Sequence, residues 1–91
     1  MSSIALDARP RLAPRARLRV DRPTGRTLLL YPERGLALNA TGEAVLRLCT
    51  GEATVAEIAA ALAARHGADP EAVLAEVRAF LDGLAARGLL A

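Results

Sequence analysis

The chain has 91 residues, which is enough for one small domain with a single modest core. Hydrophobic residues make up 53% of it and charged residues 24%, but there is one Tyr, one Phe and no Trp, so the core must be built chiefly from Leu and Ala. With one Cys, one His and no Lys, the composition lacks the ligands of a zinc site, the nucleophile–base pair of most covalent enzymes and the partner for a disulfide. These counts exclude most enzyme classes and predict no metal site.

Charge is distributed unevenly along the chain, although the net charge is only +2. Residues 1–26 hold seven Arg and two Asp, whereas residues 27–91 hold five Arg and eight acidic residues. Pro10 and Pro14 lie in the basic part, where they disfavour regular structure. We expect a flexible N-terminal arm at residues 1–14, either solvated or bound to an acidic partner, followed by one domain at residues 15–91.

Neither a signal peptide nor a membrane span is predicted. No basic segment precedes an apolar run at the N-terminus, and the longest purely apolar stretch, residues 58–64, is far shorter than the ~20 residues that cross a bilayer. The expected class is a cytoplasmic binding or carrier protein that does not contact a membrane.

Three short strands are predicted after the arm. From Ala16 onward apolar and polar residues alternate, with Leu18 and Val20 on one face, which is the period of a half-buried strand. Thr27–Tyr31 forms a second β-prone run with apolar residues on both faces. After a turn at residues 32–35, residues 36–38 form a short third strand. Short turns join such strands into an antiparallel meander.

Three helices are predicted to follow, because the hydrophobic period changes after Asn39. Thr54 and Glu57 form a capping box before the second helix, and Cys49 is spaced as a small buried residue of the first. The first helix is predicted to begin at a cap on Asn39 or Thr41 and to end at Gly51. The second is predicted from Thr54 to Gly67, and the third from Asp69 to Gly88. Strands followed by helices indicate an α+β fold, here a winged-helix-like domain with a three-stranded antiparallel meander and three α-helices.

The third predicted strand offers a sheet edge. Residues 36–39 contain no charge and no Pro that would discourage pairing. An open edge beside an apolar helix can bind an extended peptide as an added strand. Alternatively, the arm or a second copy of the chain covers this edge.

A winged helix also raises DNA binding as an alternative function. The helix that would enter the major groove, residues 70–87, carries Glu71, Glu76 and Asp82 against two Arg, so phosphates would repel it. We therefore expect no nucleic-acid partner, and keep a DNA-binding protein and a structural homodimer formed through the sheet edge as the alternatives.

Four segments of the chain resemble the PqqD family. They are LLYPE at residues 29–33, LALN at 36–39, LRLCTG at 46–51 and TVAEI at 54–58. The resemblance extends upstream to Pro10 and downstream to Gly88, and so covers nearly the whole chain. Thr50 departs from the family, which usually has Asp before this Gly; only a local helix cap depends on that position.

The resemblance implies a function. Members of this family are peptide chaperones of pyrroloquinoline quinone (PQQ) biosynthesis that recognise the leader region of a ribosomal precursor peptide. They present it to a radical S-adenosylmethionine (radical SAM) enzyme, which cross-links a Glu and a Tyr of the peptide. The carrier itself has no catalytic role and no cofactor. Related domains bind the leader as a strand beside the third strand, against the third helix.

A peptide site follows from combining this resemblance with the open edge. Residues of the third helix would line the groove, and Arg78 would bind an acidic residue of the peptide, because a guanidinium can hold a carboxylate with two hydrogen bonds. The predicted peptide-binding residues are Leu36, Ala37, Leu38 and Asn39 through their backbone, and Leu74, Arg78 and Leu81 through their side chains.

Overall fold

Three antiparallel strands precede three helices in the computed structural model, which describes residues 4–32 and 34–91. The sheet order is β1-β2-β3, so the predicted meander and the α+β class are confirmed. Glu33 of the predicted turn and the first three residues of the predicted arm lie outside the described residues. The elements are β1 (Arg17–Val20), β2 (Thr27–Tyr31), β3 (Arg34–Ala37), α1 (Ala40–Arg47), α2 (Val55–His66) and α3 (Pro70–Ala86).

The third strand begins two residues earlier than the sequence predicted. Tyr31 pairs with Arg34 and Leu30 with Gly35, so the predicted turn at residues 32–35 is wrong at its last two positions. The glycine there serves a close approach rather than a turn, since a Cβ on Gly35 would lie 3.2 Å from Cδ2 of Leu30. β3 also ends at Ala37, which leaves Leu38 and Asn39 outside the strand.

One side of the sheet faces the helices. Leu29 points to that side from the central strand and is completely buried, with Leu18 and Leu36 beside it on the neighbouring strands. The helices complete an aliphatic core, as the composition predicted. Its other most deeply buried members are Val45, Val55, Ile58, Val77 and Leu81.

The helices begin at the predicted caps. The Asn39 side chain accepts from the N–H of Gly42, Thr54 and Glu57 form the complete capping box, and Asp69 caps α3. α1 ends at Arg47, short of the predicted stop at Gly51, and Cys49 is buried in the segment between them. Among the described residues, no helix combines the length and the apolar character that crossing a membrane requires.

The described part of the predicted arm lies against the helices. The carbonyl oxygens of Leu6 and Ala8 accept hydrogen bonds from the first amides of α2, and that of Pro10 accepts from Gly51. Leu12 forms an antiparallel bridge with Leu90 near the C-terminus. We call residues 4–12 the N-terminal strap. Its flexibility, and the division of the chain at residue 14, stay predictions.

Candidate functional site

The outer edge of β3 presents unpaired backbone groups. The N–H of Leu38 donates to the carbonyl of Thr27 at 3.0 Å, and hydrogen bonds alternate along an antiparallel ladder. Leu36, paired with Leu29, therefore also bonds toward β2, whereas the N–H and C=O groups of Gly35 and Ala37 point away from it. No described residue hydrogen-bonds to these four groups.

Two hollows lie between α3 and the segment that runs from β3 into α1, one of about 630 Å³ near the start of β3 and one of about 400 Å³ near the start of α1. Together we call them the β3–α3 cleft. The first hollow is lined by Tyr31, Arg34, Gly35, Leu36 and Arg87, and the second by residues that include Asn39, Thr41, Glu76, Ala79 and Phe80.

The two walls of the cleft have matching lengths. From Arg34 to Asn39 an extended chain spans about 16 Å, and from Glu76 to Arg87 a helix also spans about 16 Å. Arg87 lies beside the start of β3 and Glu76 beside Asn39, so α3 runs antiparallel to the strand. The cleft is therefore long enough for an extended segment of about five residues.

One face of α3 forms the helical wall. Residues 76, 80, 83 and 87 are spaced by four, three and four, which places them on one stripe of a helix. Gly83 lies in the middle of this stripe, and a Cβ built there would meet no atom within 4 Å. The centre of the wall is therefore open space.

The lining of the cleft has a distinct composition. The single Tyr and the single Phe of the chain, Tyr31 and Phe80, both lie in it. Large aromatic side chains are enriched where proteins bind other chains. Arg34 and Arg87 make one end positive, and Glu76 makes the other end negative, so the cleft can discriminate between the two directions of a charged peptide.

The start of α1 fixes the far end of the cleft. Oδ1 of Asn39 accepts from the N–H of Gly42 at 2.7 Å. A Cβ at Gly42 would lie 3.2 Å from that oxygen and 3.4 Å from the Phe80 ring, so glycine permits α1 to approach α3 closely. Hydrogen bonds from Arg47 and then from Thr27 hold the pKa of Glu43 below its usual value, which ties α1 to the central strand.

The predicted edge residues have different surroundings in the structure. Leu36 lines the cleft, and Ala37 directs its backbone outward. Leu38 bonds toward β2 and has a buried side chain, so its backbone N–H is already used. Asn39 caps α1 and lines the second hollow.

The predicted residues of α3 lie on the opposite side of that helix from the cleft. Leu81 is completely buried in the core, and Leu74 packs partly buried against it. Arg78 donates through Nη2 to the carbonyl of Ile4 at 2.9 Å, and the N–H of Ile4 donates to Asp82. Arg78 and Asp82 thus hold the N-terminal strap. The structure does not bring Leu74, Arg78 or Leu81 together with the β3 edge.

Sequence reasoning missed most of the residues that line the cleft, among them Arg34, Glu76, Phe80 and Arg87. The apolar stripe of α3 identified its core face, but a stripe of mixed polarity on another face gives no periodic hydrophobic signal. The chain's only Phe within that second stripe was the one available indication.

Neither the Cys nor a metal cluster contributes to the site. Sγ of Cys49 donates to the carbonyl of Val45 at 3.3 Å, and burial raises the pKa of the thiol to about 11. The described residues contain no group of three or more His, Cys, Asp or Glu that could hold a metal ion.

Comparison with protein families finds one match that spans most of the chain. Residues 26–90 match the family model described as coenzyme PQQ synthesis protein D (PqqD). The matched range contains β2, β3 and all three helices, and so includes both walls of the cleft.

Individual relatives point the same way. A PqqA binding protein of Bradyrhizobium diazoefficiens is 39% identical over 97% of this chain and 85% of its own length. The bifunctional coenzyme PQQ synthesis protein C/D of Methylorubrum extorquens is 40% identical over 89% of this chain, although the match covers only 22% of that longer protein.

Two solved structures share the fold. The PqqD truncation of PqqCD from Methylobacterium extorquens, described as a stand-alone recognition element for ribosomally synthesized and post-translationally modified peptides, is 36% identical, with a TM-score of 0.84 over 99% of this chain and 96% of that chain. PqqD from Xanthomonas campestris is 31% identical, with a TM-score of 0.63 over 98% of this chain and 99% of that chain.

Proposed function

Because the chain belongs to the PqqD family, we propose that it binds the leader region of the ribosomal precursor peptide of PQQ biosynthesis. The peptide adds to the sheet as a strand beside β3 and lies in the β3–α3 cleft. A relative that covers nearly the whole chain is a PqqA binding protein, and a structural neighbour is a peptide recognition element, which supports this role. The observation that carries the proposal is the unpaired backbone of Gly35 and Ala37 beside an open cleft.

The backbone supplies general affinity for an extended peptide. Gly35 and Ala37 offer two N–H donors and two C=O acceptors, and each hydrogen bond contributes about 0.5–1.5 kcal/mol net. Ordering a flexible peptide opposes this gain, so we expect micromolar to sub-micromolar affinity, which suits a carrier that must release its cargo.

Side chains of the cleft supply specificity. In an added strand alternate residues face the same side, so every second peptide side chain would contact Leu36 and Phe80. A carboxylate of the peptide would lie beside Arg34 and Arg87, which both line the first hollow. This is the role that the sequence assigned to Arg78, which instead donates to the N-terminal strap.

In this proposal the chain is a carrier without catalytic residues or cofactor, and acts in the cytoplasm. A radical SAM enzyme receives the bound peptide and cross-links its Glu and Tyr. The fusion of a similar domain with a second unit in the bifunctional coenzyme PQQ synthesis protein C/D supports a role beside other proteins of the pathway.

Ala37→Pro tests the edge. Proline removes the outward N–H but no bond to β2, and edge strands tolerate proline at such positions. We expect peptide affinity to fall at least about tenfold while the protein stays folded. Ala37→Val, which keeps the N–H and suits a strand, is the matched control and retains wild-type affinity. Calorimetric titration with the precursor peptide and urea unfolding measure the two effects; wild-type affinity in folded Ala37→Pro would contradict strand addition.

Gly83→Leu tests the cleft. A leucine would extend from the centre of the α3 wall, where a Cβ meets no atom within 4 Å, and it removes no backbone group of β3. We expect at least about tenfold weaker peptide binding from Gly83→Leu, whereas Gly83→Ala, which adds one methyl group, retains most of the affinity. Equal affinity of the two variants by calorimetry would show that the peptide does not lie against α3.

A further inference from the structure

The outer face of the sheet, opposite the helices, carries an apolar patch. Leu28 and Leu30 point to this face from the central strand, and both are half-buried. A strand that is apolar on both faces is typical of a sheet covered on both sides, whereas a sheet with one solvated face normally alternates. In the described part of this chain the core lies on one side of the sheet only, with Leu29 pointing into it.

Positive charge borders the patch. Arg17 and Arg19 flank it on β1, and with Arg15 they line a hollow of about 360 Å³ beside Leu30. Among the described residues no carboxylate forms an ion pair with these arginines, and the nearby Asp21 accepts from the hydroxyl of Thr24 instead. The outer face therefore combines an apolar centre with an uncompensated positive border.

We propose that this outer face is the docking surface for the peptide-processing enzyme. The inference rests on the proposed function, since it assigns a surface to the enzyme named there. The complementary surface of the enzyme has an apolar centre bordered by Asp and Glu side chains. Apolar contact at the centre and opposite charges at the rim are the usual anatomy of a specific interface, and the charges steer the encounter.

The position of the face supports an enzyme that must receive the peptide. A strand added at β3 continues the sheet, and every second side chain of that strand points to the outer face. The β3 residues on this face are small, Gly35 and Ala37, so they leave those peptide side chains accessible. An enzyme docked here contacts the carrier and the exposed half of the peptide together, while the cleft holds the other half.

Nucleic acid fits this face less well. Proteins that bind single strands combine basic grooves with aromatic side chains on which bases stack. Phe80 lies in the cleft on the other side of the sheet, and Tyr31 lines both that cleft and the hollow beside Leu30, so the outer face offers one aromatic ring at its border and not a row of rings for successive bases. Leucines at the centre of the patch offer no partner to phosphates.

The test measures binding of the radical SAM enzyme and of the precursor peptide separately, by calorimetry, to the full chain. Arg17→Glu and Arg19→Glu reverse charges at the border, and Arg65→Glu makes the same change at an exposed position near the end of α2. We expect about tenfold weaker enzyme binding for each border variant, wild-type enzyme binding for Arg65→Glu and unchanged peptide affinity in all three. Added NaCl weakens the wild-type enzyme complex.

Each other outcome overturns the docking surface. If the enzyme binds the border variants as tightly as the wild type, or is weakened equally by Arg65→Glu, the face is not its site, and the proposed peptide role stands. Absence of enzyme binding to the wild type overturns the enzyme partner and its docking surface together. Absence of peptide binding to the wild type contradicts the proposed function itself. If the wild type self-associates and Arg17→Glu abolishes this, the face binds a second copy of the chain. If the wild type binds a single-stranded oligonucleotide tightly, the face binds nucleic acid.

Discussion

Neighbouring residues of β3 have opposite roles because of the alternation within a strand. Leu36 uses its backbone to bond β2 and turns its side chain to the cleft, whereas Ala37 turns its backbone outward and its side chain away from the core. A substitution at position 37 therefore changes the edge, and one at position 36 changes the cleft and the sheet together. The residues of this segment are separable by experiment even though they are adjacent.

Cys49 predicts a pH dependence of stability at the scale of one residue. Burial raises the pKa of its thiol to about 11 in the folded protein, against 9.0 for an ordinary cysteine, so between these pH values the folded state binds the proton more tightly than the unfolded state. Burial of the neutral thiol makes its full contribution to the free energy of unfolding below about pH 9. This contribution, on the order of 2 kcal/mol, is lost as the pH rises toward 11. Urea unfolding across this range measures it.

Cys49→Ala is the control for that prediction. The variant lacks the thiol, so its free energy of unfolding loses this component of the pH dependence while other groups still titrate. The informative quantity is the difference between the two proteins at each pH. A difference that stays constant from about pH 8 to about pH 11 would show that the thiol is accessible to solvent in the folded state.

At the scale of elements, the connection from β3 to α1 is only two residues long, and each of them is bonded to one of the neighbouring elements. Leu38 still bonds to β2, and Asn39 already caps α1. The strand edge and the first turn of α1 are therefore held at a fixed angle, and the cleft is bounded at this end by a helix start rather than by a loop.

Asn39→Ala tests which role of Asn39 matters. Loss of the cap leaves the N–H of Gly42 without its partner, and we expect the free energy of unfolding to fall by about 1 kcal/mol. Asn39→Asp keeps a capping oxygen and adds a charge favourable to a helix N-terminus, so it retains stability. Chemical denaturation of both variants measures this; an Asn39→Ala protein as stable as the wild type would contradict the capping role.

The sequence predicted elements better than it predicted which surfaces meet. The caps are local hydrogen-bonding patterns, so Thr54 and Asp69 were predicted from neighbouring residues alone, and Asn39 was predicted as one of two alternatives with Thr41. The peptide edge was placed two residues late because proline and glycine at residues 32–35 indicated a turn, whereas pairing with β2 extends the strand to Arg34. The face of α3 that lines the cleft depends on how α3 packs across the sheet, which no local pattern encodes.

For the whole molecule, the N-terminal strap joins parts that are distant in sequence. Its carbonyls bond the first amides of α2, Arg78 and Asp82 of α3 hold Ile4, and Leu12 pairs with Leu90.

A second copy of the chain that paired through β3 would use the same backbone groups as the peptide, so dimerisation of that kind and peptide binding would compete.

Deleting residues 1–12 is expected to destabilise the protein by several kcal/mol. The deletion leaves amides of α2 and of Gly51 without partners and uncovers the apolar side chain of Leu90. Urea unfolding measures the loss, and hydrogen exchange of the Val55, Ala56 and Gly51 amides in the wild type provides the control. Rapid exchange of these amides together with wild-type stability of the truncated protein would support a flexible arm instead.

Gly83 implies a conflict between thermostability and function. Glycine within a helix costs about 1 kcal/mol relative to alanine, and at this exposed position a better helix former would avoid that cost, since an added Cβ meets no atom within 4 Å. Directed evolution that selects only for heat resistance is therefore expected to replace Gly83 with residues such as Leu. The resulting variants would be more thermostable but would no longer bind the peptide, unless peptide binding is selected in the same round.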